Sequence, residues 1–396
     1  MRVCRDERAQ GAPAGVAGIA IGMIALIARA PALGDGSKDR NSARGRAGRA
    51  IAGLLMVKPQ CYVAKVGPTS LTRRGPSMST QTVMPLPGEP TRAALANPLE
   101  RYVLATRPAF VSVTFVGVLI GWASAWADGV EISGLAAALT MIFALVAHAG
   151  ANVINDYYDA VSGCDAANDE RLFPFTGGSR FIQNGVLTAH EVKVFGYGLL
   201  FAVIPPGLWL AAHSAPGLLV IGAAGLAAGW AYSAPPLKLQ ARGVGEFAIT
   251  AAWALVVVGS DFVERGAFAF RPVAAGLGFA LLVANVLYIN QFPDIRADSR
   301  AGKRTMVVRL GPAKARWGYA VIGALAYLWP LAMALTGRLP AATLASLVPA
   351  LATVAALRVL WRAADRPKAL APALPLTILA ANAHGLLMAA TLALFG

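Results

Sequence analysis

Residues 134–165 read "GLAAALTMIFALVAHAGANVINDYYDAVSGCD". The stretch opens as an unbroken apolar run. Its last part, "GANVINDYYDAVSGCD" from Gly150 to Asp165, carries Asn152, Asn155, Asp156, Asp159 and Asp165. A bilayer-spanning helix needs roughly 20 mostly apolar residues, which this run supplies. Carboxylates set against such a segment are costly unless something compensates them. Residues four apart share a helix face, so Asn155 stacks on Asp159 and Asn152 on Asp156. The carboxyl end of a helix already carries partial negative charge, which makes both aspartates more unfavourable there. The stretch predicts a membrane helix whose end is built to meet positive charge.

The rest of the chain agrees. Of 396 residues, 57% are apolar and only 14% charged, with a mean hydropathy of +0.57. That composition excludes an ordinary soluble domain. Nine apolar runs of spanning length lie near 109–127, 134–155, 193–213, 215–233, 245–262, 272–292, 316–336, 339–360 and 371–395. They are continuous rather than alternating, so they predict helices and not barrel strands. The expected fold is all-α, a polytopic membrane bundle of nine transmembrane helices.

Sixteen Lys and Arg fall in the loops on one side of this arrangement, against Arg265, Arg271 and Arg338 on the other. The positive-inside rule then places the amino end and the even-to-odd loops in the cytoplasm. The expected location is a bacterial inner membrane. Residues 1–77 differ in kind, with 13 Lys/Arg against 4 Asp/Glu. Their patch "AGVAGIAIGMIALIARAPALG" has the look of a signal peptide. A cleaved signal would put the new amino end outside, against the loop charges. Residues 1–77 are therefore read as a basic, Gly- and Arg-rich extension, disordered or upstream of a true start at Met78. Residues 78–107 are read as a cytoplasmic segment and 108–396 as the membrane domain. Cys164, in a cytoplasmic loop, reads as an incidental small residue.

A second polar cluster matches the first. The sixth run ends in "NVLYINQFPDIRADSRAGKRT", where Asn290, Asp294 and Asp298 again fall on one helix face. Both clusters end an even-numbered run, four helices apart, which predicts two repeated halves facing each other across an axis along the membrane normal. Two acidic clusters at one membrane face form an oxygen-rich pocket for a hard divalent cation. Mg²⁺ takes few carboxylates and completes its shell with water and phosphate. The expected ligand is a diphosphate bridged by Mg²⁺ to the two aspartate sets. Lys303, Arg304 and Arg180 stand close to the clusters and are candidates to neutralise its remaining oxygens. Pro235 and Pro236 end the fourth run and place Tyr232 and Lys238 at the same mouth, either as a pocket-lining ring and a phosphate ligand or as an interfacial aromatic with a snorkelling lysine. His148, with no carboxylate one turn away, reads as a helix contact.

Asn-Asp-x-x-Asp after the second run and Asp-x-x-x-Asp after the sixth resemble the UbiA superfamily of intramembrane prenyltransferases. The resemblance covers roughly residues 98–396. "NVINDYYDAVSGCD", "IQNGVLT" and "NQFPDIRADSRAGKRTMVVRLG" look most like the 1,4-dihydroxy-2-naphthoate branch of menaquinone synthesis. Two departures stand out. Gly163 occupies a position where the superfamily often has its last aspartate, with Asp165 two residues later, as in the naphthoate branch. Lys238 lies six residues after Tyr232 instead of four. The resemblance implies a UbiA-type bundle of two pseudo-repeated four-helix halves. It implies Asn155, Asp156, Asp159 and Asp165 around one Mg²⁺, and Asn290, Asp294 and Asp298 around another, with Asn152 nearby. The implied partners are the lipid bilayer, a polyprenyl diphosphate and an aromatic acceptor, with no nucleic acid. Other acceptors of the superfamily (4-hydroxybenzoate, homogentisate, a porphyrin or chlorin, a glycerol phosphate) fit the same motifs. A cation transporter is the alternative from another class, although its acids would sit nearer the bilayer midplane.

Overall fold

The computed structural model describes residues 85–396, and the expectations for 1–77 and for 78–84 lie outside the described residues. Among the described residues every regular element is helical: α1 (Pro98–Ala105), α2 (Pro108–Ala127), α3 (Gly134–Val161), α4 (Ala189–Ala202), α5 (Ile204–His213), α6 (Gly217–Ser233), α7 (Gly245–Arg265), α8 (Arg271–Arg300), α9 (Met306–Leu310), α10 (Pro312–Leu335), α11 (Ala350–Ala363) and α12 (Ala373–Phe395). Short 3₁₀ turns at Leu239–Arg242, Ala341–Leu347 and Pro367–Leu370 join them.

The helix starts follow local chemistry. Asn97 caps α1 and Ser133 caps α3 with their side-chain oxygens, and Thr188 with Glu191 forms a full capping box on α4. Each satisfies backbone N–H groups that the first helical turn leaves free. Proline fills the first turn of α1, α2, α8 and α10, where its missing N–H is no loss.

Among the described residues eight spans are long and apolar enough to cross a membrane. The fourth expected run, 215–233, becomes α6, whose 17 residues fall short of that length. At 1.5 Å per residue it reaches about 25 Å against a hydrocarbon core of roughly 30 Å. The apolar run begins at Ala215, but the helix starts only at Gly217 after Pro216, so hydropathy slightly overstates it. The third run is helical from Ala189 but jogs at Val203 into α5. Pro205 and Pro206 follow immediately and cannot donate to the preceding turn. The sixth run extends past Pro293 to Arg300, carrying its polar cluster on a continuous helix.

α8 is the centre of the bundle. Its apolar window is 78% buried inside the protein, against 22–56% for the other seven spans, and it packs on α7, α10, α12 and α2. Val116, Ile120, Val257, Phe279 and Met388 form the largest apolar cluster there. α2 and α7 approach so closely that a Cβ on Gly121 would stand 2.5 Å from the Val257 carbonyl oxygen. Small residues permit such backbone contact, which is a main source of helix association in lipid. At the end of the bundle away from the acidic clusters, Arg265 bonds Asp261 (2.7 Å) and Asp128 (2.8 Å), and Arg271 bonds Asp128 (2.7 Å). That knot ties α2, α7 and α8 and accounts for two of the three basic residues on that side.

Candidate active site

A cavity of about 770 Å³ opens among α2, α3 and α5–α8. Its walls are mostly apolar, with Phe143, Leu208, Leu218, Ile221 and Val256 among them. One end is polar. There α3 contributes Asn155 and Asp159, α8 contributes Asn290, Asp294 and Asp298, and Tyr232, Gln240 and Lys303 stand beside them. The two clusters that the sequence spaced onto separate helices therefore share one cavity.

Lys303 joins them. Its ammonium lies 2.8 Å from Asp159 Oδ1 and 3.5 Å from Asp298 Oδ1, one carboxylate from each helix. Burial alone would push the Lys303 amine down, but the Asp159 and Asp298 charges outweigh it and hold the amine well above its usual range. The ammonium is thus a fixed positive charge. Asn155 donates to Asp159 Oδ2 (3.2 Å) and to Ser233 (3.0 Å), confirming the shared face read from the spacing. Gln240 donates to Asp159 Oδ1 at 3.2 Å. Asn168 donates to Asp294 Oδ1 at 2.6 Å. Cys164 donates to Asp298 Oδ1 at 3.2 Å, and burial pushes its thiol up, so it is a packed neighbour and not a reactive group.

The loop 162–187 covers the acids from above. Ser179 N donates to Asp156 Oδ2 (3.3 Å), Arg180 Nη1 donates to the Asp165 carbonyl (2.5 Å), and Gln183 donates to Asp165 Oδ2 (3.4 Å). Burial, then the charges of Asp159 and Asp156, push the Asp165 carboxyl well above its usual range. The loop is latched from the amino-terminal side by Glu89, whose carboxylate is fully buried. Arg171 Nε donates to it at 2.6 Å and Asn184 at 3.2 Å, with Arg180 4.0 Å away. Burial pushes the Glu89 carboxyl up, but the bonds from Arg171 and Asn184 more than offset that and hold it below its usual range.

Gly178 shows how tight the cover is. Its φ is +72°, and a Cβ there would lie 2.4 Å from Asp165 Oδ2. Left-handed backbone costs a non-glycine residue roughly 1–3 kcal/mol. Gly178→Ala should therefore lower the melting temperature and, by displacing Asp165, reduce activity as well. Thermal unfolding in detergent beside an activity assay checks this. Unchanged values for both would mean that the loop tolerates the added methyl.

Several expected site residues stand elsewhere. Lys238 is exposed and outside the cavity. Its backbone is left-handed (φ 44°), and Gln240, two residues on, reaches the acids in its place. Arg304 is also exposed, its backbone N–H held by the Ala241 carbonyl. Arg180 is buried under the loop and serves Asp165 and Glu89 from behind the cavity wall. Asp156 is likewise buried behind the wall, 3.9 Å from Arg107. Asn152 lines the cavity but spends its amide on the Thr106 carbonyl (3.1 Å). Arg107, Asn168, Gln240 and Glu89 escaped the sequence reading, since none lies inside a motif. His148 pairs with Thr114 (2.8 Å) as a helix contact, yet it also lines the cavity.

The donor set suits a hard cation. The side chains converging at the polar end offer carboxylate and amide oxygens, and Asn290 Oδ1 is buried with no hydrogen-bond partner. Among the described residues no group of three or more His, Cys, Asp or Glu side chains makes a metal-holding cluster by itself. Mg²⁺ does not require one, because it commonly takes one or two carboxylates and leaves the rest of its shell to water and phosphate.

The UbiA prenyltransferase family model matches residues 114–382. The chain belongs to this family. It is an integral membrane prenyltransferase, which sets aside the transporter alternative. Among curated relatives, 1,4-dihydroxy-2-naphthoate octaprenyltransferase of Escherichia coli is 29% identical over 231 residues, covering 56% of this chain and 72% of the relative. The Mycobacterium tuberculosis enzyme of the same description is 31% identical over 238 residues, covering 59% and 78%. A solved structure from work on digeranylgeranylglyceryl phosphate synthase superimposes with a TM-score of 0.54 at 18% identity, covering 75% of this chain and 99% of the other. A UbiA homologue from Archaeoglobus fulgidus, bound to GPP and Mg²⁺, gives 0.50 at 17%, covering 73% and 99%. These likenesses establish the bundle.

Proposed function

We propose that the protein transfers a polyprenyl group from polyprenyl diphosphate to 1,4-dihydroxy-2-naphthoate in an Mg²⁺-dependent reaction, yielding the prenylated, decarboxylated naphthoquinol of demethylmenaquinone synthesis. The observation that carries this reading is one cavity with carboxylates from α3 and α8 at its end and apolar walls along its length. A diphosphate head fits the first and an isoprenoid tail the second. The naphthoate acceptor is drawn from the several curated relatives that carry that description.

Asn155 and Asp159 would hold Mg²⁺ on the α3 side and Asn290, Asp294 and Asp298 on the α8 side, with Asp156 and Asp165 supporting from beneath the loop. Bound there, the cation would supply charge to the leaving diphosphate. Lys303 would turn its ammonium to the diphosphate oxygens as the allylic C–O bond breaks and its electron pair departs with them. Tyr232, Trp253 and the apolar walls surround the carbon end, where ring faces favour an allylic cation and water is excluded. The electron-rich acceptor ring then supplies the pair for the new C–C bond, and loss of CO₂ returns a pair to the ring. The chain therefore needs no nucleophilic side chain. With the amino end in the cytoplasm, the polar end of the cavity faces the cytoplasm of a bacterial inner membrane.

The test uses membranes holding the protein, Mg²⁺ and labelled polyprenyl diphosphate, with dihydroxynaphthoate and 4-hydroxybenzoate in parallel. Product from the naphthoate alone is expected. Product only from 4-hydroxybenzoate would replace the acceptor and leave the diphosphate site as described.

A further inference from the structure

Two cationic side chains line the cavity, Lys303 and Arg107. Lys303 is already clamped between Asp159 and Asp298. Arg107 is not clamped. Its Nη2 donates to the Phe175 carbonyl at 3.2 Å, while its Nε is buried with no hydrogen-bond partner. The nearest carboxylate, Asp156 Oδ1, is 3.9 Å from Nη1, beyond hydrogen-bond length, and that oxygen also lacks a partner. Nη1 makes no hydrogen bond and is not sealed off as Nε is, so the guanidinium that lines the cavity keeps an unspent donor.

The backbone holds it there at a cost. Arg107 has φ 58° and ψ 61°, left-handed values that a branched or long side chain seldom adopts. Pro108 follows it and disfavours the right-handed helical alternative. Asn152 grips the preceding carbonyl at Thr106 (3.1 Å), and Phe110 N donates to the Arg107 carbonyl (3.0 Å). Strain that the surroundings maintain in this way is commonly found where a side chain is placed for a ligand.

The surroundings specify the ligand. The guanidinium lies 4.6 Å from the centre of the Phe110 ring, and Phe110 and Phe175 both line the cavity beside it. Asn152 stands one position short of a full helical turn before Asn155, so this corner adjoins the diphosphate end without coinciding with it. A planar fork of donors beside two aromatic rings matches an aromatic carboxylate, which accepts two parallel N–H bonds in one plane. Elsewhere at the polar end, aspartates would repel such an anion.

We propose that Arg107 anchors the carboxylate of the acceptor, with Phe110 and Phe175 against its ring, and thereby selects carboxylate-bearing aromatic acceptors. This rests on the acceptor reading given under Proposed function. Arg107 binds the acceptor and leaves the diphosphate to the α3 and α8 clusters.

The experiment compares dihydroxynaphthoate with 1,4-dihydroxynaphthalene, the same ring without the carboxylate, in the full-length protein in membranes. Arg107→Gln should raise KM for the naphthoate about tenfold or more, with KM for polyprenyl diphosphate unchanged. Its rate with dihydroxynaphthalene should stay near that of the unmodified protein. Arg107→Lys should recover part of the loss. A rise in KM for the diphosphate instead would assign Arg107 to the leaving group. Equal loss with both acceptors would make it a structural partner of Asp156. A second measurement needs no variant: 2-naphthoate should compete with the acceptor where its methyl ester does not. Equal competition by acid and ester would overturn the anchor while leaving the acceptor reading intact. Transfer to neither hydroxylated ring, nor to 4-hydroxybenzoate, would overturn the acceptor reading and the anchor with it.

Discussion

Asp159→Ala and Asp294→Ala each lower prenyl transfer by about two to three orders of magnitude, the loss typical of removing one fixed group that stabilises transition-state charge. The two residues stand on different helices, α3 and α8, and face one cavity. Each removes one carboxylate from a crowded set, so the fold should survive the loss of its hydrogen bonds. Asp159→Ala still leaves Lys303 its Asp298 partner (3.5 Å). Asp294→Ala relieves repulsion from Asp298 one turn away. Activity and stability should therefore separate: transfer collapses while the melting temperature falls modestly, because each variant leaves buried donors without their acceptor. Because the two act on one diphosphate, the double variant should be little worse than either single. Labelled transfer at saturating substrate, beside thermal unfolding in detergent, checks both statements. Full activity in either well-folded variant would remove the paired-helix site from the mechanism.

Lys303→Met should show a different pattern. The ammonium is 9% exposed and bridges two carboxylates from separate helices. Removing one partner of such a buried arrangement costs roughly 3–5 kcal/mol, because the remaining charges stand uncompensated. The variant should unfold at lower temperature without divalent cation. Added Mg²⁺ should raise its melting temperature more than that of the unmodified protein, since the cation would take over the neutralisation that Lys303 provides. Transfer should stay low even with Mg²⁺ present, because the leaving diphosphate would still lack the ammonium. Equal Mg²⁺ responses in the two proteins would show that Lys303 and the cation do not share these carboxylates.

The local code of the chain was sufficient for the class of fold and for the heart of the site. Apolar runs of spanning length declare membrane helices because lipid leaves the backbone no other partner. The spacing of Asn155 with Asp159, and of Asn290, Asp294 and Asp298, declares a shared face because helix geometry acts over a few residues. Asn155 does bond Asp159, and α8 does run unbroken through Pro293. Helix ends were less legible: α6 is shorter than its hydropathy and the third run is jogged, since both depend on how the turns pack.

What only the tertiary structure decided involves distant parts of the chain. Glu89 meets Arg171 across 82 positions, and Cys164 meets Asp298 across 134. Gln240 displaces the expected Lys238 because a left-handed residue and a 3₁₀ turn redirect the chain after Pro236. The sequence singled out Lys303 and passed over Arg107, although both are basic residues beside a membrane segment. Sequence assigns each a charge, and folding decides which charge is already spent: Lys303 between two aspartates, Arg107 with Nη1 still without a hydrogen bond. Charge is a property of a residue, whereas a free charge is a property of its neighbours, and those are chosen by packing.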